Sequence, residues 1–428
     1  MRTRVPNRDP LSEPVRGRRE RAVARLALLL SGCALGTTAS VLGGSFTNPI
    51  ISDGADPWVI FNNGYYYFTD TTGTGIYLRQ ATQLAGTNGI GSVSSVKVFS
   101  PPAPYNKDVW APEMRIIQGV AYIYYAADDG TNADHRIFVA QQVGQTSSFA
   151  YKSKVYDATT DCWAIDGTVL EATNGALYFI WSGWPGTNNV VQNLYIAPMS
   201  DPLTISGPRV LLSTPQLAWE SWIQEGPEVL QRNGKVFVIY SANESWTDSE
   251  CLGMLVNSDG NYLNPASWTK MPQPVFQTVS NATGAVYGPG GSAFTQSLDG
   301  TEDWIFYHAA TNSGAGWNRS IRMQRFTWDA NGYPDFGQPV PAGVVLADPS
   351  GDNYTPALLQ SITVQTNGRA LVTARAPLPL LTNQWTLEYS GDLKTWSPLT
   401  NVPGLQFSTN VLDNSAAPNR YYRVTSSR

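Results

Sequence analysis

Short runs of β-branched and aromatic residues, each opened by a glycine, recur along the chain. They are Gly64-Tyr65-Tyr66-Tyr67-Phe68, Gly119-Val120-Ala121-Tyr122-Ile123-Tyr124-Tyr125, Gly175-Ala176-Leu177-Tyr178-Phe179-Ile180-Trp181, Gly234-Lys235-Val236-Phe237-Val238-Ile239-Tyr240, and a fifth from Gly300 through Trp304-Ile305-Phe306-Tyr307-His308. Their glycines are 55, 56, 59 and 66 residues apart. Gly, Asn, Asp and Pro clusters separate the apolar runs, and few windows carry helical periodicity. A near-constant period of this size in an all-β chain predicts one sheet per repeat, set radially: a five-bladed β-propeller over residues 45–348. Ser213 to Trp222 and Asn243 to Val275 are the longest irregular stretches, loops that should shape a binding face.

The stretch Gly337 to Tyr354 is rich in Pro, Gly and Asp and reads as a linker or the last propeller edge. Beyond it, residues 355–428 alternate again in Ser361-Ile362-Thr363-Val364, Ala370-Leu371-Val372-Thr373, Trp385-Thr386-Leu387-Glu388-Tyr389 and Arg420-Tyr421-Tyr422-Arg423-Val424. That predicts a small C-terminal β-sandwich resembling immunoglobulin or fibronectin modules. A spacer or attachment role is expected of it, with glycan binding as the alternative.

Composition narrows the partners. Charged residues make up 14% of the 428 and the formal net charge is -5, so no basic face is offered to nucleic acid. The cationic residues that do cluster, Arg16, Arg18, Arg19, Arg21 and Arg25, precede Leu26-Ala27-Leu28-Leu29-Leu30 and then small residues. Residues 1–44 are therefore expected to be a signal peptide for export, and the apolar run is too short to span a bilayer. Leu30-Ser31-Gly32-Cys33 also fits a lipoprotein signal, in which Cys33 would be acylated. Cys162 and Cys251 are expected to be buried free thiols. His135 and His308 are the only histidines, which argues against a zinc site or a histidine-driven nucleophile.

Eight or nine residues upstream of the repeat glycines stand Asp56, Trp110, Asp166, Glu225 and Gly291. Equivalent positions of a propeller share one radius and one height, so three carboxylates should converge on the central axis. Gly or Pro follows each acid and leaves space beside it. Burial and mutual repulsion push at least one of three such groups upward in pKa. A protonated carboxyl beside an ionised one is what glycoside hydrolysis requires.

The residues themselves are familiar at this point. Gly54-Ala55-Asp56-Pro57, Trp110-Ala111-Pro112-Glu113, Ile165-Asp166-Gly167-Thr168, Glu225-Gly226-Pro227-Glu228 and Gly288-Pro289-Gly290 follow one another at blade spacing. Arg319-Ser320-Ile321-Arg322-Met323-Gln324 and Trp328-Asp329-Ala330-Asn331-Gly332-Tyr333-Pro334 complete the set. From about Asn48 to Gly343 the chain resembles glycoside hydrolase family 43, inverting five-bladed propeller enzymes that act on arabinose- and xylose-containing glycans. The resemblance implies Asp56 as general base, Glu225 as general acid and Asp166 as the residue that tunes and orients Glu225. It further implies Trp110 and Arg319 as substrate-binding residues, whereas Glu113 and Glu228 are expected to be structural.

One position departs from the pattern. Many members continue the Gly-Pro-Gly motif with a histidine that helps hold a calcium ion or a water cluster in the central channel; here that position is Gly291. No metal ligand set and no required cofactor are expected, a calcium ion or water cluster in the central channel is the alternative that Gly291 puts in doubt, and His308 is expected to be a core histidine. Within the family the chain most resembles exo-acting α-L-arabinofuranosidases, through Trp181-Ser182-Gly183-Trp184, Trp219-Glu220-Ser221-Trp222, Tyr240-Ser241-Ala242 and Leu252-Gly253-Met254-Leu255. Loops bearing Trp184, Trp219, Trp222 and Trp246 would close the cleft around one terminal sugar of a plant cell-wall polysaccharide or arabino-oligosaccharide. β-Xylosidase and endo-arabinanase are the alternatives that use the same acids, and a non-catalytic sugar-binding propeller is the alternative of a different class.

Overall fold

The protein is described here from a computed structural model, which covers residues 44–352 apart from 145, and 358–364, 369–375, 385–391, 394–402, 408–413 and 421–426. The signal-peptide reading and Cys33 lie outside the described residues. Five antiparallel sheets follow in chain order, spanning residues 58–99, 107–154, 164–213, 224–270 and 279–335. The central strands Trp58–Asn62, Lys107–Ile117, Ala164–Glu171, Gln224–Arg232 and Gly284–Gln296 each touch the next, and the fifth touches the first. That closed ring is the five-bladed propeller.

Local chemistry explains the hairpins. Asn63-Gly64, Gln118-Gly119 and Asn233-Gly234 are two-residue turns with φ of 47° and 80°, 52° and 79°, 51° and 77°. These primed turns match the right-handed twist of the flanking strands, and glycine takes positive φ without a Cβ penalty. The third and fifth blades use longer connections, between Glu171 and Leu177 and between Gln296 and Asp303.

Successive side chains of one strand serve two different cores. Along Val120–Asp128, Ala121, Ile123 and Tyr125 pack with the first-blade residues Phe68 and Phe99, while Tyr122 and Tyr124 pack with Phe179 and Trp181 of the third. Middle strands are therefore apolar on both faces. The same double burial corrects the expected loop at Asn243 to Val275, which contains the blade strands Cys251–Asn257 and Trp268–Lys270. Leu252, Met254 and Val256 face the fifth blade's core, and Cys251 and Leu255 face the third's. A strand buried on both faces loses the alternation that announces it. Cys162 and Cys251 are buried and free.

The ring is closed by the segment before the first blade. Ile50 and Ile321 share a 2.9 Å backbone hydrogen bond, and the Asn48 side chain bonds both Met323 N and O. Ser45–Thr47 pairs with Val345–Ala347, so both ends of the propeller segment meet at one place. Asp352 accepts from Ala85 N at 2.7 Å, which ties the Pro/Gly-rich stretch to the first blade. Leu358–Val364, Ala370–Arg375 and Ser408–Asp413 form one three-stranded sheet, and Trp385–Ser390, Ser397–Val402 and Tyr421–Ser426 form another. Tyr422 Oη donates to Asp413 between the two sheets at 2.8 Å.

Candidate active site

Four of the five central strands are interrupted at equivalent positions. Ladder pairing skips from Trp110 to Glu113, Ile165 to Thr168, Glu225 to Glu228 and Gly290 to Ala293. The first bulged residue is left-handed in every case: Ala111 (φ 40°), Asp166 (54°), Gly226 (54°) and Gly291 (52°), with Asp56 (51°) as the first-blade counterpart. Left-handed non-glycine residues cost on the order of 1 kcal/mol or more and concentrate at functional sites. Trp110 and Glu225 therefore stand one residue ahead of the position shared by Asp56, Asp166 and Gly291. Counting back from the turn glycines misses this offset, because the longer third and fifth hairpins move their glycines by one residue.

The bulges aim Asp56, Asp166 and Glu225 into one place. All three line both a narrow channel space of about 40 Å³ and the wider cavity of about 470 Å³. Asp56 Oδ2 accepts from Thr71 Oγ1 at 2.6 Å, and Thr71 Oγ1 in turn accepts from Ala111 N at 2.8 Å, locking first blade to second. Arg319 Nη1 lies 3.4 Å from Asp56 Oδ1. Burial would raise the Asp56 pKa, but the Arg319 charge, His308 and the Thr71 hydroxyl together hold it far below the usual carboxylate range. Burial, then the Asp56 charge, pushes Asp166 up to about 7. Its Oδ2 accepts from Gly226 N at 2.9 Å, which favours charge on Asp166. Glu225 is pushed well above the usual range by burial, then by Asp166 and Glu250, against an opposing hydrogen bond from Ser245. The site thus sets one carboxyl displaced downward, Asp56, beside two displaced upward, Asp166 and Glu225.

The fifth blade surrenders its side chains here. A Cβ on Gly290 would overlap the Glu250 carboxylate, and one on Gly291 would lie 2.6 Å from His308 Nδ1. His308 Nδ1 accepts from Asp56 N at 3.1 Å, and its Nε2 faces the Glu250 oxygens at 3.0 and 3.1 Å. His308 is buried, but its partners make it part of the site and not a plain core residue. Both ring nitrogens of His308 are thus engaged within the site, Nδ1 at Asp56 and Nε2 at Glu250. Among the described residues no cluster of three His, Cys, Asp or Glu side chains could hold a metal.

Two residues past each bulge lies a second layer: Trp58, Glu113, Thr168, Glu228 and Ala293. The Arg115 guanidinium fills it, 4.2 Å from the Trp58 ring, 3.3 Å from Glu113 and 3.1 Å from Glu228, and bonded to Thr168. Burial and the neighbouring carboxylate push Glu113 well up. Burial outweighs Arg115 and leaves Glu228 at about 6. This cluster sits beneath the cavity and supports it.

The cavity walls are aromatic. Trp110 stacks on His135 at 3.9 Å between centroids, and Trp163 stacks on Trp184 at 4.9 Å. Trp110, Trp163, Trp222, Trp246, Trp317 and Arg319 line the cavity. Trp222 is held by an Nε1 bond to Glu244 at 2.6 Å. Two of the tryptophans expected to close the cleft do not line it. Trp184 is buried behind Trp163, and Trp219 turns onto Tyr240 and bonds Pro272 O. Trp163, Trp317, Thr71 and Glu250 were missed at the level of sequence. Two carried a signal: Trp163 lies three residues before Asp166 and Trp317 two before Arg319, just ahead of motifs already singled out.

The family model for glycosyl hydrolases family 43 matches residues 46–334, the whole of the propeller that carries these bulges. The chain belongs to glycosyl hydrolase family 43. It is therefore a glycosidase, and the acids lie where this family 43 propeller opens. Among curated relatives it is 37% identical over 340 residues to an α-L-arabinofuranosidase 43 from Humicola insolens, covering 75% of this chain and 68% of that protein. It is also 37% identical over 355 residues to an extracellular exo-α-(1→5)-L-arabinofuranosidase from Streptomyces avermitilis, covering 78% and 72%. A crystal structure of an α-L-arabinofuranosidase from Lactobacillus brevis superposes with a TM-score of 0.65 at 31% identity, over 70% of this family 43 chain and 98% of the other. Among the described residues, no helix is long and apolar enough to cross a membrane.

Proposed function

We propose that the protein removes terminal α-L-arabinofuranosyl residues from arabinan or arabinoxylan with inversion at the anomeric carbon. One observation carries the mechanism: Asp56 and Glu225 line the same cavity while their pKa values are displaced in opposite directions. Glu225 donates its proton to the departing glycosidic oxygen. Asp56 takes a proton from the water that attacks the opposite face of the sugar. Asp166 stands beside Glu225 and, together with burial, favours the proton on it, while the bond from Gly226 N–H to Asp166 fixes the acid's own strand. The Trp110 indole lies against the apolar face of the pentose, and Arg319 holds Asp56 ionised while reaching the sugar. The names of the relatives support arabinose over xylose as the terminal sugar. Residues 1–44 export the chain, and the two small sheets within 358–426 act as a spacer or attachment module.

The test is product analysis. On α-1,5-linked arabinotriose, arabinose should be released, with the β anomer appearing first by proton NMR. A first-formed α anomer, release of xylose but not arabinose from matched oligosaccharides, or larger fragments from linear arabinan would each overturn the assignment.

The same geometry predicts the pH dependence. The general acid must be protonated, so kcat/KM should fall on the alkaline side, at a pH well above the usual carboxylate range, because burial and the neighbouring Asp166 raise Glu225. The general base must be ionised, and Asp56 stays so through the mildly acidic range, leaving kcat/KM flat there. Arg319→Met removes the charge that holds Asp56 down, and should move the acid limb upward by about one to two pH units. A profile of kcat/KM against pH with an unmoved acid limb would refute that coupling.

A further inference from the structure

Two tryptophans on the cavity's outer wall have no part in the chemistry above. Trp317 is 63% exposed and Trp246 38%. Their ring centroids are 5.1 Å apart with planes tilted by 43°. Neither joins the core clusters between blades. Yet both line the cavity that contains Asp56 and Glu225. Large apolar rings left side by side in water mark a binding surface more often than a structural one.

These rings are held in place. Trp246 lies on the fourth blade's loop before Cys251–Asn257, and Trp317 on the fifth blade's loop before Arg319–Trp328. Asp248 clamps the two loops: Ser313 Oγ donates to its Oδ2 at 2.6 Å and Gly314 N to its Oδ1 at 2.9 Å. The Asp248 carbonyl accepts from Gly288 N at 3.3 Å, which anchors the clamp to the fifth blade's central strand. A pre-set pair of rings loses little entropy when it binds.

Their chain neighbours tie both rings to the acids of the site. Ser245, beside Trp246, hydrogen-bonds Glu225, the proton donor to the leaving oxygen. Arg319, two residues after Trp317, contacts Asp56, and its guanidinium lies 5.4 Å from the Trp317 ring. Both rings line the cavity and yet stay open to solvent, so they stand at its mouth, where the part of a substrate beyond the terminal sugar leaves the pocket.

We infer that Trp246 and Trp317 form the platform for the leaving-side sugar: a furanosyl ring of an arabino-oligosaccharide rests its C–H faces in the open angle between the two indoles. The inference rests on the glycosidase reading given above. It assigns selection of the leaving group to loops of the fourth and fifth blades, apart from the residues that hold the terminal sugar. A sugar is favoured over a protein partner because the rings are continuous with the cavity.

The experiment compares two substrates on the full chain. α-1,5-Arabinotriose has sugar rings to place on the platform, and methyl α-L-arabinofuranoside has only a methyl group. Trp317→Ala should lower kcat/KM for the trisaccharide about tenfold more than for the methyl glycoside. Trp246→Ala should act in the same direction, and Trp317→Phe should recover part of the loss. Equal losses on both substrates would overturn the platform. So would an unchanged substrate ratio accompanied by conversion of a dimer to a monomer in light scattering, because the rings would then be an interface between copies. If the unsubstituted protein cleaves neither substrate, the glycosidase reading fails separately. Calorimetry of arabinotriose binding then decides the platform, since weaker binding to Trp317→Ala upholds it and equal binding removes it.

Discussion

Replacing Glu225 by glutamine is expected to lower kcat/KM on arabinotriose by about 10³-fold, within the range for loss of a general acid. Glutamine has the shape of the carboxylic acid and leaves the Gly226 bulge and the Asp166 contact intact, so folding should be unaffected. The loss is chemical: an amide cannot give a proton to the departing oxygen. Two further signatures separate this from general damage. A substrate whose leaving group needs no protonation, such as a dinitrophenyl arabinofuranoside, should lose far less. The alkaline fall in kcat/KM should also vanish or move, because the group that titrates there has gone. Turnover within tenfold of the unsubstituted protein on arabinotriose would remove Glu225 from its role.

Arg115→Ala is expected to cost about 3–5 kcal/mol of stability, the range for removing one partner of a buried ion pair. Arg115 is the cation between Glu113 and Glu228, and it also covers the Trp58 ring. Without it two buried carboxylates face each other, and the lower layer of the channel loses its filling. The loss should deepen with pH. Both acids already have raised pKa values, Glu228 at about 6. A raised acid binds its proton more tightly in the native state than in the unfolded chain, so native stability declines as pH rises through that window. In the variant both rise further, which makes the penalty small near pH 5 and largest near pH 8. Urea midpoints at the two pH values measure this. Adding Glu113→Gln and Glu228→Gln to Arg115→Ala should recover much of the stability at pH 8. An equal penalty at both pH values would mean that the cluster contributes by packing alone.

How much was legible can be followed residue by residue. The turn glycines and the apolar runs behind them carried the blade count, because two-residue turns and doubly buried strands restrict residue choice strongly. The identities of Asp56, Asp166 and Glu225 stood out because each lies just ahead of Gly or Pro in a motif repeated at blade spacing. Their equivalence did not, since a turn glycine moved by one residue in a longer hairpin is invisible to a count between glycines. Cys251–Asn257 was hidden for a related reason: its two faces enter two cores, so no alternation remains to be read. Trp184 and Trp219 show the limit for aromatic residues. An indole in a loop looks the same in sequence whether it lines a cavity, backs another ring or covers a tyrosine.

The linear order of residues was enough to determine an all-β propeller and the family and to single out three candidate acids, because these follow from local turn chemistry and short motifs. Which acid keeps its proton was decided only in three dimensions. Arg319, His308 and Thr71 reach Asp56 from separate segments, and Glu250 reaches His308 across 58 positions of chain. Electrostatic influence depends on distance through space and on burial, and neither is written in the spacing of residues along a chain.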